Sequence, residues 1–181
     1  MEDRRESFYH ERIRKSGPEY LGFDALSAEI TLNLLYTYDV FHQLSARYMA
    51  GYGLSKSTLN VLMLLRHGPR EGMQLHDLGE LLLVSKANIT GLIDHLEDKA
   101  LVKRVISARD RRARFARITK KGEALLDQAV PVHYQNVKRL LNDLSNDDKQ
   151  TLVRLLRKTR ASLMANSTTV DNHQLHGNVR E

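Results

Sequence analysis

Residues 73–119, MQLHDLGELLLVSKANITGLIDHLEDKALVKRVISARDRRARFARIT, decide the fold of this chain. Read from Met73, the stretch gives a short amphipathic segment, a brief break and a second amphipathic segment. Two apolar/basic strand-like runs follow, joined by a tight polar tip. In the second segment Ile89, Leu92, Ile93 and Leu96 recur at i, i+3, i+4 and i+7, which places them on one face of a helix. Ser85 stands just before that run, where its hydroxyl can accept from an orphan N–H of the first turn. The opposite face carries Lys86, Asn88, Thr90, Asp94 and His95, all able to hydrogen-bond outward.

Charge is concentrated in the same place. Between Lys103 and Lys121 nine basic residues stand against a single acid, Asp110, a local charge of +8 in a chain whose total is +6. The remainder is therefore slightly acidic. A solvated charged hairpin is the bland explanation of such a run. Beside a helix with a polar outer face, it is instead the electrostatic footprint of a phosphate-backbone binder. Two helices, a short turn and a hairpin make the winged helix-turn-helix layout, whose second helix enters the major groove of DNA. The expected fold is mainly α with a small β-hairpin wing (α+β): a winged helix-turn-helix with a helical dimerisation region.

At these residues the chain resembles the MarR family, the multiple-antibiotic-resistance-type bacterial transcriptional regulators. The resemblance is carried by Val84-Ser85-Lys86-Ala87-Asn88-Ile89-Thr90-Gly91-Leu92-Ile93-Asp94, by Leu96-Glu97 and by Leu101-Val102-Lys103-Arg104. The wing Asp110-Arg111-Arg112 and the ending Ile118-Thr119 with Gly122 complete it. Flanking helical stretches extend it over roughly residues 25–165. Three positions depart from the common pattern: Gly79 where a small Ala is usual, Leu83 where the inter-helix turn often has Gly, and Ala100 where a helix-ending Gly is frequent. Because a non-Gly residue in a left-handed position costs about 1–2 kcal/mol, the two turns are expected to be built differently here. The resemblance implies a homodimer whose two winged lobes straddle double-stranded DNA, acting as a repressor on a pseudo-palindromic operator. It also implies a small aromatic or phenolic effector in a cleft between the dimerisation helices and the winged lobe. Tyr36, Phe41, His42, Met63, Arg66 and His133 are the candidates for that cleft, although an aromatic or Met stripe at helical spacing is more often core.

The DNA contacts expected from the residues are Ser85, Lys86, Asn88 and Thr90 in the first turns of the recognition helix, and Arg109, Arg111 and Arg112 at the wing. Amide and hydroxyl side chains on that helix can address base edges, and its N-terminus favours a phosphate. A wing arginine suits a narrow A·T minor groove. By resemblance, Asp110 braces its arginine neighbours, since a carboxylate near phosphate is repelled. The rival reading is a protein-interaction module whose basic hairpin meets an acidic protein partner.

The rest of the chain supplies the frame. Residues 1–23 form an N-terminal extension with one short charged helical segment, either a frayed arm or an arm packed on a partner subunit. Residues 24–165 hold the main domain: a long helix over about 24–50, the winged lobe over about 55–119, and helices over 120–165. Pro131 should kink the first of those last helices, because it removes a backbone donor. Ser145-Asn146-Asp147-Asp148 resembles a capping box with Asp in place of Glu. The long first helix and the last two are more apolar than a lone winged helix needs, which calls for a twofold partner. Residues 166–181 are polar and aperiodic and are expected to be a flexible tail.

The 181 residues are 41% hydrophobic and 28% charged, enough for a core and ordinary for a soluble chain. Cysteine is absent, which excludes disulfides, thiolate metal sites and thiol switches. No apolar run approaches the ~20 residues needed to cross a bilayer, and no apolar leader core opens the sequence. A cytoplasmic protein without membrane attachment is expected. There is no Gly-rich phosphate loop, no His-Glu-x-x-His and no Cys nucleophile, so no enzyme, cofactor or metal is expected. His76-Asp77 and Asp94-His95 are adjacent pairs that do not face each other on a helix. His67 with His76, and His173 with His176, lack a clear third metal ligand.

Overall fold

The computed structural model describes residues 4–106 and 114–174. Helix α1 (Arg4–Ser16) is followed by a 3-10 turn at Gly17–Glu19, then by α2 (Ala25–Ala50), α3 (Lys56–His67), β1 (Met73–Gln74), α4 (Leu75–Leu82) and α5 (Lys86–Asp98). Strands β2 (Val102–Ile106) and β3 (Arg114–Ile118) precede α6 (Lys120–Leu140) and α7 (Asn146–Gln174). The described residues fall in two compact units, one up to His133 and one from Tyr134 onward.

Caps set most of the helix starts. Asp24 accepts from the Ser27 N–H at 2.8 Å to begin α2. Ser55 and Thr58 form a reciprocal capping box at α3, so two orphan N–H groups are satisfied at once. Ser85 caps α5 by accepting from the Asn88 N–H at 3.3 Å, as its position before the apolar run requires. At α7 the Ser145 hydroxyl accepts from the Asp148 N–H while the Asp148 carboxylate accepts from the Ser145 N–H, so Asp does the work of Glu in that box.

The first unit is built around one apolar cluster. Helix α3 contributes Leu59, Val61, Leu62 and Leu65, α4 contributes Leu75 and Leu78, and α5 contributes Ile89, Ile93 and Leu96, with Leu92 half-buried. Met49, Leu54, Leu101, Val102, Ala116, Leu126 and Ala129 close it. The three strands form an antiparallel sheet in the order β1-β3-β2, with Met73 opposite Ala116 and Arg104 also opposite Ala116 from the other side. Strand β3 is thus central, and its small Ala116 lies fully buried beneath the helices.

Helices α4 and α5 end in the same way, and so does α2. After α2, Gly53 (φ 63) donates to Ala50 and Leu54 donates to Met49. After α4, Leu83 (φ 52) donates to Glu80 and Val84 to Gly79; after α5, Ala100 (φ 58) donates to Glu97 and Leu101 to Leu96. Each is a paired 5→2 and 6→1 arrangement that satisfies two orphan carbonyls. The expectation that the turns at Leu83 and Ala100 would be rebuilt is therefore corrected. The left-handed geometry is kept without glycine, because two backbone hydrogen bonds and the inward packing of the next residue (Val84, Leu101) hold it.

Gly122 makes the junction after β3 possible. A Cβ there would lie 2.3 Å from the Leu101 carbonyl oxygen and 2.8 Å from Ile118 Cγ1. The Thr119 hydroxyl donates to the Ala100 carbonyl at 2.8 Å and accepts from the Gly122 N–H at 3.1 Å, tying the end of α5 to the start of α6. Helix α6 runs unbroken through Pro131, which costs it a backbone bond rather than its continuity. Arg66 on α3 pairs with Asp127 on α6 at 2.6 Å.

Two outer segments differ from expectation. Helix α1 is not frayed: it packs back on α2 of the same chain, with His10 3.8 Å from Glu29. Helix α7 continues to Gln174, well past the expected end at 165, because an established helix propagates through polar residues with one backbone bond per residue added. Within the second unit, Leu152, Leu155, Leu156 and Leu163 of α7 are exposed. Among the described residues no helix is long and apolar enough to cross a membrane.

Candidate nucleic-acid interface

Burying Ile89, Ile93 and Leu96 turns the first turn of α5 outward, so Ser85, Lys86 and Asn88 are exposed there. Asn88's side-chain amide makes no hydrogen bond with the described residues, which leaves both its donor and its acceptor for an outside partner. Thr90 is half-buried and its hydroxyl donates to the Lys86 carbonyl at 2.8 Å, so it offers a lone pair and a methyl rather than a donor. The structure brings Lys86 and Thr90 into one groove of about 770 Å³, with Gln74, His76, Leu83 and Arg114 on its other walls. Arg109, Asp110, Arg111 and Arg112 lie outside the described residues.

Arg114 is a candidate that sequence reasoning counted only as charge. It is exposed at the start of β3, opposite Ile106 and on the same β3 face as buried Ala116, and it lines one groove with Lys86 and Thr90 of the recognition helix. Strand alternation around a small apolar residue was the available signal.

Arg104 does the reverse: it belongs to the basic run by sequence but is occupied. Its guanidinium donates to both Glu97 and Asp94 of α5, and its backbone N–H donates to Glu97 at 2.8 Å. That N–H bond is the main reason the Glu97 carboxyl is held below its ordinary range, with the guanidinium adding to it against the desolvation. Two carboxylates three residues apart on α5 thus clamp the first strand of the wing to the recognition helix. Lys121 likewise donates to the Lys99 carbonyl at 2.9 Å, and Lys99 to the Gly53 carbonyl at 2.9 Å. The cationic surface left for a polyanion is smaller than the raw count of nine.

The six effector candidates lie on α2, α3 and α6. Tyr36 lines a cleft of about 450 Å³ between α1 and α2, together with Tyr9, Ile13 and Leu32. His42 stacks on Tyr38 at 5.7 Å, Met63 packs against the core, and Arg66 is paired with Asp127. His133 Nδ1 lies 3.2 Å from the Tyr48 hydroxyl, and burial holds its pKa below the usual imidazole value. Phe41 is half-buried on α2. Among the described residues, no three His, Asp or Glu side chains group to hold a metal ion.

The fold and the basic helix-plus-hairpin surface define a winged helix-turn-helix protein. The sequence model of the MarR family matches residues 52–113. The chain is 29% identical to the HTH-type transcriptional repressor YetL of Bacillus subtilis, over 81% of this chain and 88% of that one. It is 31% identical to the HTH-type transcriptional regulator MhqR of the same organism, over 62% of this chain and 76% of that one. The fold is also that of Sco3205, a MarR family transcriptional regulator from Streptomyces coelicolor solved in complex with DNA. There the TM-score is 0.72 at 18% identity, covering 77% of this chain and 89% of that one. This chain belongs to the MarR family of transcriptional regulators.

Proposed function

We propose that this chain is a sequence-specific DNA-binding transcriptional repressor that acts as a homodimer. The observation that carries the reading is the outward first turn of α5, with Ser85, Lys86 and Asn88 exposed beside a hairpin rich in arginine. In this reading Asn88 addresses a base edge, Thr90 accepts a hydrogen bond or meets a methyl group, and Lys86 and the Ser85 end of the helix hold phosphate. Arg109, Arg111 and Arg112 neutralise phosphate or enter the minor groove, with Asp110 bracing them. Arg114 joins them from the start of β3.

Residues 55–119 form the DNA-reading lobe, and helices within 24–50 and 120–165 pair two chains. Exposed Leu26, Ile30, Leu34, Leu35 and Tyr38 on α2 support that pairing, as do the exposed leucines of α7, because rows of apolar side chains of this length are rarely left in water. The reading does not depend on the six effector candidates.

The test is selection of duplexes from a randomised pool by the purified chain, followed by salt titrations on a selected and a scrambled duplex. A regulator prefers the selected duplex, with log affinity falling linearly with log salt at a slope of about −0.9 per phosphate neutralised. Equal affinity for both duplexes refutes sequence specificity. Tight capture of an acidic protein without duplex binding favours an interaction module instead.

A further inference from the structure

Leu83 is exposed and strained at once, and neither condition serves the fold. Its backbone lies in the left-handed region at φ 52, and its side chain is 89% exposed. It closes α4 through the same pair of hydrogen bonds that Gly53 makes after α2, so glycine would form this turn without strain. Ala100 sits in a matching turn at φ 58 but carries only a methyl group. Leu83 therefore pairs the strain with a large apolar side chain left in water. A strained residue of that kind persists where the side chain has work to do in a bound state.

The position supplies the work. Leu83 stands two residues before the Ser85 cap of α5 and shares the groove of about 770 Å³ with Lys86, Thr90 and Arg114. Lys86 and Arg114 set two cations around an apolar side chain. Duplex DNA has the complementary surface: phosphates flanking the apolar face of deoxyribose and the thymine C5-methyl group. We propose that Leu83 is a DNA-contact residue whose side chain is buried against that apolar face of the duplex when α5 enters the major groove. The proposal rests on the DNA-binding reading above and adds to it an apolar contact outside the recognition helix itself.

The experiment compares the full chain with Leu83→Gly, Leu83→Met and Ala100→Gly, on a duplex that the parent has selected from a randomised pool. Both glycine variants should melt a few degrees higher than the parent, since both relieve a left-handed residue. Ala100→Gly should bind as the parent does. Leu83→Gly should bind about tenfold more weakly despite its greater stability, the scale of losing much of one buried Leu side chain. Leu83→Met should stay within about twofold, because it keeps apolar volume. Deoxyuridine in place of thymine identifies the surface met: a loss in the parent that Leu83→Gly does not share assigns the methyl group, and no loss assigns deoxyribose. Leu83→Gly binding as tightly as the parent overturns the proposal. Failure of the DNA-binding reading itself would already appear in the parent, as no preference for any duplex.

Discussion

Replacing Arg104 by Gln separates a wing residue that organises the interface from one that touches DNA. The guanidinium is 29% exposed, and its partners Glu97 and Asp94 are 37% and 54% exposed. At that exposure solvent and salt screen each pair to roughly 0.2–1 kcal/mol. Loss of the packed stem adds a fraction more, so the expected total is about 1–1.5 kcal/mol. The backbone bond from the Arg104 N–H to Glu97 survives the substitution. Thermal unfolding should then shift down by roughly 2–5 °C for a chain of this size. A guanidinium held by two carboxylates is not offered to phosphate, so the salt slope of DNA binding should not change. Affinity should still fall about three- to tenfold, because β2 loses its tie to α5 and the wing must be ordered on binding. Anisotropy titrations at several salt concentrations, run beside melts, read both quantities. Adding Asp94→Asn and Glu97→Gln to Arg104→Gln should recover part of the affinity by removing two uncompensated carboxylates. A slope reduced by about 0.9 in a folded Arg104→Gln protein would mean that Arg104 contacts a phosphate, and the clamp would be wrong.

Asn88→Ala should lose on the order of 1–3 kcal/mol on a selected duplex and little on a scrambled one; equal losses on both would move Asn88 to the phosphate backbone. Ala100→Gly should gain roughly 0.5–1 kcal/mol in urea unfolding, with strain relief partly offset by the freer unfolded chain. Gly122→Ala should cost about 2–3 kcal/mol, since its Cβ would fall 2.3 Å from the Leu101 carbonyl; a neutral result would mean that the β3–α6 junction gives way easily. The Glu97 carboxyl, depressed in the folded chain, adds stability that is complete above its ordinary value of 4.5 and is lost as pH falls through the lower folded value. The stability gap between parent and Glu97→Gln should therefore close on acidification, and a gap that stays constant down to about pH 3 contradicts the assignment.

What the sequence discloses about this protein is its periodicity, and what it hides is the pairing of distant groups. The spacing of Ile89, Leu92, Ile93 and Leu96 orients α5, and that orientation alone turns Lys86 and Asn88 outward. The caps at Ser55, Ser85 and Ser145 are equally local, each settled within one helical turn. The partner of Arg104 is different in kind. Glu97 and Asp94 precede it by seven and ten residues across a helix end, and only the closed Ala100 turn swings β2 back along α5 to meet them. A count of cations over 103–121 cannot separate Arg104, spent inside the lobe, from Arg114, set at its surface; the pairing of the Arg104 guanidinium with Glu97 and Asp94 does. The same reasoning explains the effector candidates. Helical spacing says which residues share a face, but not that Asp127 reaches Arg66 or that Tyr48 reaches His133. Leu83 shows the limit most clearly. As a letter it departs from a glycine position and suggests a different turn. In the fold the turn is unchanged, so the departure has to be explained by the side chain, which points to what the lobe binds rather than to how it folds.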